Sequence, residues 1–157
     1  MSEALRPAGN VSMKSAGFTL IELLVTIAVM TIVATIAVPG FQGMMARNQL
    51  AGDYNLILSG LNQARSEAIK RRENVTFRVT QASPWEYRIT TADNNDIAIR
   101  SARGGGQVSI TNTNITFNAL GRRANCTSGC DITVDHSAAG DIDLRVSTTG
   151  RIGKPTS

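Results

Sequence analysis

The sequence predicts an α+β protein: a long N-terminal helix, transmembrane in its first half, packs its second half on a C-terminal antiparallel β domain. Three observations predict it. Residues 18–38 form a predominantly apolar run whose one charge is Glu22. From Leu50 onward, apolar side chains recur at helical spacing. Beyond residue 74 the period falls to two, with turn residues between short runs. The chain has 157 residues, enough for one domain besides the apolar segment.

The apolar run comes first in the chain. About 20 such residues are what a helix needs to cross roughly 30 Å of hydrocarbon. A buried core helix of a soluble domain is the competing reading, but such a helix would show a polar face, and this one shows only Thr and Ala. Arg6 and Lys14 precede the run, as in a signal peptide, and Ala34, Ala37 and Gly40 offer small residues for a cut behind it. The helical pattern nevertheless continues past Pro39, which favours a retained anchor with its positive flank in the cytoplasm. Everything after the anchor then lies outside.

The second half of the helix is read from Leu50, Tyr54, Ile57, Leu61, Ala64 and Ala68, which make one stripe. Arg47, Asp53, Gln63, Glu67 and Lys70 fall on or beside the opposite face. The helical signal runs from about Phe18 to Arg72, with Pro39, Gly40 and Gly43 as its weak point. A chain cut near Arg47 is expected to fold without the anchor, because the stripe needs only the sheet to cover it.

Strands follow. Val75, Phe77 and Val79 alternate, as do Trp85, Tyr87 and Ile89. Shorter runs stand at Ile97/Ile99, Val108/Ile110, Ile115/Phe117, Ile132/Val134 and Ile142/Leu144/Val146, each bounded by turn residues. The stretch "RSARGGGQ" reads as a flexible loop and "GKPTS" as a frayed tail.

Outside the cytoplasm, the close cysteines Cys126 and Cys130 are expected to form a disulfide rather than a zinc site, since only His136 is near and zinc takes four ligands. His136 reads as a surface residue. No catalytic set, phosphate loop or metal cluster stands out, so the chain is not read as an enzyme and calls for no cofactor or metal. The net charge of +4 is mildly basic and permits an acidic partner without demanding one.

The stretch "KSAGFTLIELLV" resembles the class III signal peptide of the type IV pilin-like family. The resemblance implies a leader of residues 1–17, cut between Gly17 and Phe18 by a prepilin peptidase, with N-methylation of Phe18. Met13 is an alternative start. The remaining segments are residues 18–46 for membrane and assembly, 47–73 for the amphipathic half, and 74–157 for the β domain. "LNQARSEAIKRRENVTF", "ITFNALGR" and "VSTTGRI" are similar to the GspH/FimT branch of minor pilins and pseudopilins, which implies two packed β-sheets against the helix.

That resemblance also gives Glu22 a use. It lies one helical turn from the amine that cleavage creates at Phe18, and in the family it pairs with the N-terminal amine of a neighbouring subunit. An alternative leaves it as an interfacial residue near the headgroups. The implied partners are other minor and major pilins or pseudopilins, the peptidase, the inner-membrane assembly platform and membrane lipid. The implied function is a structural and priming subunit at or near the tip of a type IV pilus or type II secretion pseudopilus. Some FimT-type relatives instead bind incoming double-stranded DNA through a C-terminal "GRxR"-like motif. Here "GRIGKP" keeps Gly150 and Arg151 but has Gly153 where the second arginine would stand. Arg122, Arg123, Arg151 and Lys154 are the candidate contacts.

Overall fold

The computed structural model describes residues 17–104, 106–127 and 130–155. The leader apart from Gly17 therefore lies outside the described residues. Helix α1 spans Leu20–Arg71 and contains Pro39, which is also where the chain divides into two compact units. The first unit ends at Pro39 and the second is Gly40–Ser157.

In the first unit every described side chain is exposed, which leaves the apolar run uncovered by the protein itself. Three of its threonines use their hydroxyl hydrogens internally. Thr26 Oγ1 donates to the Leu23 carbonyl, Thr31 Oγ1 to those of Ile27 and Ala28, and Thr35 Oγ1 to that of Ile32. The hydroxyls of Thr26, Thr31 and Thr35 thus demand no partner outside the helix, which suits an apolar solvent.

In the second unit α1 buries Ala46, Leu50, Asp53, Ile57, Gly60, Leu61, Ala64 and Ala68. The stripe is the expected one with a correction: Asp53 is buried and Tyr54 is half-buried. Asp53 lies three residues after Leu50 and four before Ile57, so it shares the stripe by helical geometry despite its charge.

Among the described residues there are nine strands: β1 (Val75–Ala82), β2 (Trp85–Thr91), β3 (Asp96–Ser101), β4 (Val108–Ile110), β5 (Asn114–Phe117), β6 (Arg123–Thr127), β7 (Asp131–His136), β8 (Gly140–Val146) and β9 (Ile152–Gly153). They form two antiparallel sheets, ordered β3-β2-β1-β5-β6 and β4-β7-β8-β9. Register follows the alternation: Phe77 faces Ile89 and Ile115, and Ile132 faces Leu144. These side chains and the α1 stripe share one core. Strands β6 and β9 had no apolar alternation to announce them. The tail is corrected at its first residue only: Gly153 pairs with Arg145 at the sheet edge, while Thr156 and Ser157 lie outside the described residues.

At Gly60 the helix lies directly against the sheet. A Cβ there would meet the ring of Tyr87 at 2.6 Å. Tyr87 in turn donates its hydroxyl to the Leu56 carbonyl, packs on Phe77 and stacks on Trp85. Burial pushes the Tyr87 phenol above its ordinary pKa.

Candidate functional site

The sequence-predicted residues fall in two places, one in each unit. In the first unit, Glu22 occupies the opening turn of α1, two residues after Leu20. Thr19 caps this end: its Oγ1 accepts the Glu22 backbone N–H at 3.2 Å, and its carbonyl accepts that of Leu23. Thr19 and Glu22 have the Thr-x-x-Glu spacing of a helix-start signature, a signal present in the sequence that the reading above did not use. Capping fixes where the helix begins and hence sets Glu22 one turn from Phe18. Gly17 and Phe18 are both exposed.

In the second unit the basic candidates gather around two turns that repeat one design. The first, residues 118–122, joins β5 to β6; the second, residues 147–151, joins β8 to β9. Asn118 N–H donates to the Arg122 carbonyl at 2.9 Å and Gly121 N–H to the Asn118 carbonyl at 2.8 Å. Asn118 Oδ1 accepts the Arg122 amide at 3.0 Å. Ser147, Gly150 and Arg151 repeat all three bonds, at 2.9, 2.9 and 3.0 Å. "NALGR" and "STTGR" are thus twin turns, each with a side-chain oxygen acceptor first, a glycine fourth and, fifth, an arginine that joins these bonds through its backbone alone. Both glycines take the left-handed conformation, with φ of 69° at Gly121 and 82° at Gly150.

The twins touch. A Cβ on Gly150 would overlap the carbonyl oxygen of Gly121. The same oxygen accepts Arg65 Nε from α1 at 2.9 Å, and Ile69 packs beside Gly121. Helix and both sheets are tied together at this corner, which leaves Arg122 and Arg151 exposed at equivalent positions.

The remaining basic residues differ in their freedom. Arg123 lies in β6, half-buried, with Nη1 donating to the Val146 carbonyl at 2.6 Å. Arg145 makes two bonds to Asp131, at 2.7 and 2.8 Å, and this guanidinium holds the Asp131 carboxyl below the ordinary aspartate range. Lys154 is exposed, and with Arg145, Ser147 and Arg151 it lines a shallow cleft of about 100 Å³. The structure thus brings Arg122, Arg151 and Lys154 out as exposed side chains, whereas Arg123 is engaged in holding the fold.

Cys126 and Cys130 are joined as a disulfide. Cys126 belongs to β6 and Cys130 precedes β7, so the bond spans the point where the chain leaves one sheet for the other. His136 is corrected from the surface to the interior, with 2% of its area exposed. It ends β7 opposite Gly140, and in the turn between them the Ala138 N–H donates to its Nδ1 at 3.0 Å.

Comparison with known proteins places these features. Residues 53–150 match the family described as type II transport protein GspH, and residues 12–38 match the prokaryotic N-terminal methylation motif. The chain is 50% identical over 40 residues to the fimbrial protein EcpC of Eikenella corrodens, a match covering 26% of each protein. It is 25% identical over 144 residues to a fimbrial protein of Pseudomonas aeruginosa, covering 88% of this chain and 90% of that one. Among solved structures, the type IV minor pilin FimU of Pseudomonas aeruginosa superposes with a TM-score of 0.57 at 18% identity, over 70% of this chain and 90% of that one. That likeness establishes the fold: a long N-terminal helix against a two-sheet antiparallel domain.

Proposed function

The chain belongs to the type II transport protein GspH family, and on that premise we propose that it is a minor pilin or pseudopilin, a structural and priming subunit incorporated at or near the tip of a type IV pilus or type II secretion pseudopilus. The family is one of structural proteins, so the work is assembly, with no reaction to catalyse. One observation carries the reading: a methylation motif over residues 12–38 takes in the start of a helix that is exposed and predominantly apolar over residues 20–38 and has a buried stripe over residues 46–68. Such a helix can serve lipid first and a filament core later, while the β domain stays in water.

Processing falls between Gly17 and Phe18, and the new amine of Phe18 is methylated. Before that cut Arg6 and Lys14 hold the leader on the cytoplasmic side, and the cleaved subunit then waits in the inner membrane with the β domain in the periplasm. A charged Glu22 in hydrocarbon penalises the lone subunit, and pairing with the amine of a neighbouring pilin relieves it. Two opposite charges about 4 Å apart attract far more strongly in a dry core than in water. Glu22 therefore rewards docking in register. The peptidase, the assembly platform and the surrounding lipid complete the list of partners.

This reading is tested with Glu22→Ala. The variant should be cleaved and inserted normally, since removing a charge eases insertion, and yet be depleted from sheared filaments. Undiminished incorporation would overturn the pairing role.

A second reading, a receptor for double-stranded DNA, is favoured by the twin turns. They present Arg122 and Arg151 at matching positions beside Lys154, and phosphate contacts require clustered cations on one face.

A further inference from the structure

Two exposed aspartates face each other on the outer side of the four-stranded sheet. Asp135 of β7 stands directly opposite Asp141 of β8, which sets their α-carbons about 5 Å apart. Like charges so placed repel and weaken the pairing of their strands. The neighbouring carboxylates are relieved within the sheet: Arg145 binds Asp131, and Thr133 Oγ1 donates to Asp143 at 2.7 Å. Asp135 and Asp141 have no ion pair or side-chain hydrogen bond among the described residues.

Two exposed arginines stand in the converse situation at the twin turns. A Cβ on Gly150 would lie 3.3 Å from the Arg122 Cα, so Arg122 and Arg151 emerge side by side. Neither guanidinium has an ion pair among the described residues. The centre of this corner is apolar: Leu120 is 75% exposed, and Ile69, packed beside Gly121, is 47% exposed. Phosphates gain nothing from such a centre, whereas a protein surface can cover it. The two charged pairs lie far apart on the same domain. Gly121 is held by Arg65, late in the helix, whereas His136 and Ala138 share a cleft with Met45 and Ala46, early in it. From Ala46 to Arg65 the helix advances about 28 Å. A chain therefore cannot join its own arginines to its own aspartates.

We propose that Arg122 and Arg151 of one copy dock on Asp135 and Asp141 of a second copy of this chain. Two guanidinium groups then meet two carboxylates, and the repulsion within each like-charged pair is relieved at once. The turn beside the aspartates carries Ser137, Ala138 and Ala139, small residues that leave Leu120 room to lie against it. Because different surfaces meet, each bound copy keeps a free end, and the contact can repeat from copy to copy. It involves neither Glu22 nor the anchor, so it stands or falls apart from the filament reading.

The test uses two full-length copies with different tags, expressed together. A photo-reactive residue at exposed Thr149 should give a light-dependent adduct joining the two tags. The same probe at exposed Arg78, on the outer face of the other sheet, should not. Arg122→Glu with Arg151→Glu in both copies should lower the adduct about tenfold. Adding Asp135→Lys and Asp141→Lys to both should restore it, which a chain that merely misfolded could not do. No adduct between the tags, an equal yield from Arg78, or capture of a different protein alone overturns the second copy as partner. An adduct indifferent to the first reversal, or not restored by the second, overturns the charge pairing. Loss of the adduct on nuclease treatment assigns the corner to DNA and overturns the inference as well.

Discussion

Gly150 sits so close to Gly121 that its missing side chain is what lets the two arginine-bearing turns meet. Gly150 and Gly140 share a left-handed backbone, with φ of 82° and 85°, but a Cβ on Gly140 would meet nothing within 4 Å. The pair separates backbone strain from close approach. Gly140→Ala should cost about 1 kcal/mol from strain alone, and Gly150→Ala ~3 kcal/mol because the turns must also part. Urea denaturation of a chain beginning at Gly40 measures both. That chain keeps the whole buried stripe from Ala46 onward, and it is expected to fold unaided. Equal losses would show that the corner yields without cost.

The Asp131–Arg145 pair predicts a pH dependence. Its guanidinium holds the folded-state carboxyl below the ordinary value of 3.8, so its contribution is complete above that pH and is lost as pH falls through the lower, folded value. Asp131→Asn should therefore lower stability slightly at neutral pH, and the difference from the parent chain should vanish in strong acid. Both side chains are about half exposed, so added salt should shrink the effect. A difference that grew on acidification would contradict the assignment.

Gly17 precedes the proposed cut, and the family's peptidase requires a small residue there. Gly17→Leu should leave an unprocessed band on a gel and no subunit in sheared filaments. Normal maturation of this variant would remove the leader assignment.

The DNA reading predicts a salt-dependent mobility shift on duplex DNA. Neutralising Arg122 and Arg151 together should reduce the slope of log affinity against log salt by about 2, one for each phosphate contact. Arg100→Ala, on the edge strand β3, should leave that slope alone. A shift weakened equally by all three substitutions would indicate only a basic protein meeting a polyanion. Arg123→Ala should act differently from the exposed arginines and lower stability, because its guanidinium is bound to the Val146 carbonyl.

Much of the candidate site was legible in the residues themselves. Gly17, Phe18 and Glu22 are carried by a contiguous motif, and contiguous motifs need no knowledge of the fold. The Thr19 cap was equally visible, since its spacing to Glu22 is local. The basic corner was legible only as two separate stretches. Nothing in "NALGR" or "STTGR" says that their glycines touch, although the shared order of polar residue, glycine and arginine hints at a common turn. The strands β6 and β9 escaped because they carry few apolar residues; pairing with an existing edge stabilises them, whatever their own pattern.

What the sequence alone determined, then, is everything governed by short-range periodicity: an apolar span, a stripe at helical spacing, strands at period two and a helix start. These follow from the two repeat lengths of the backbone, which every stretch of chain obeys independently of its neighbours. The tertiary structure decided the rest. It buried Asp53 by laying the sheets across one side of a stripe whose borders the sequence leaves broad. It drew His136 inside, where the Ala138 N–H of the following turn donates to its ring. It brought Gly121 against Gly150. Each of these depends on how separate elements pack, and close packing is a property of the whole core that no local window contains.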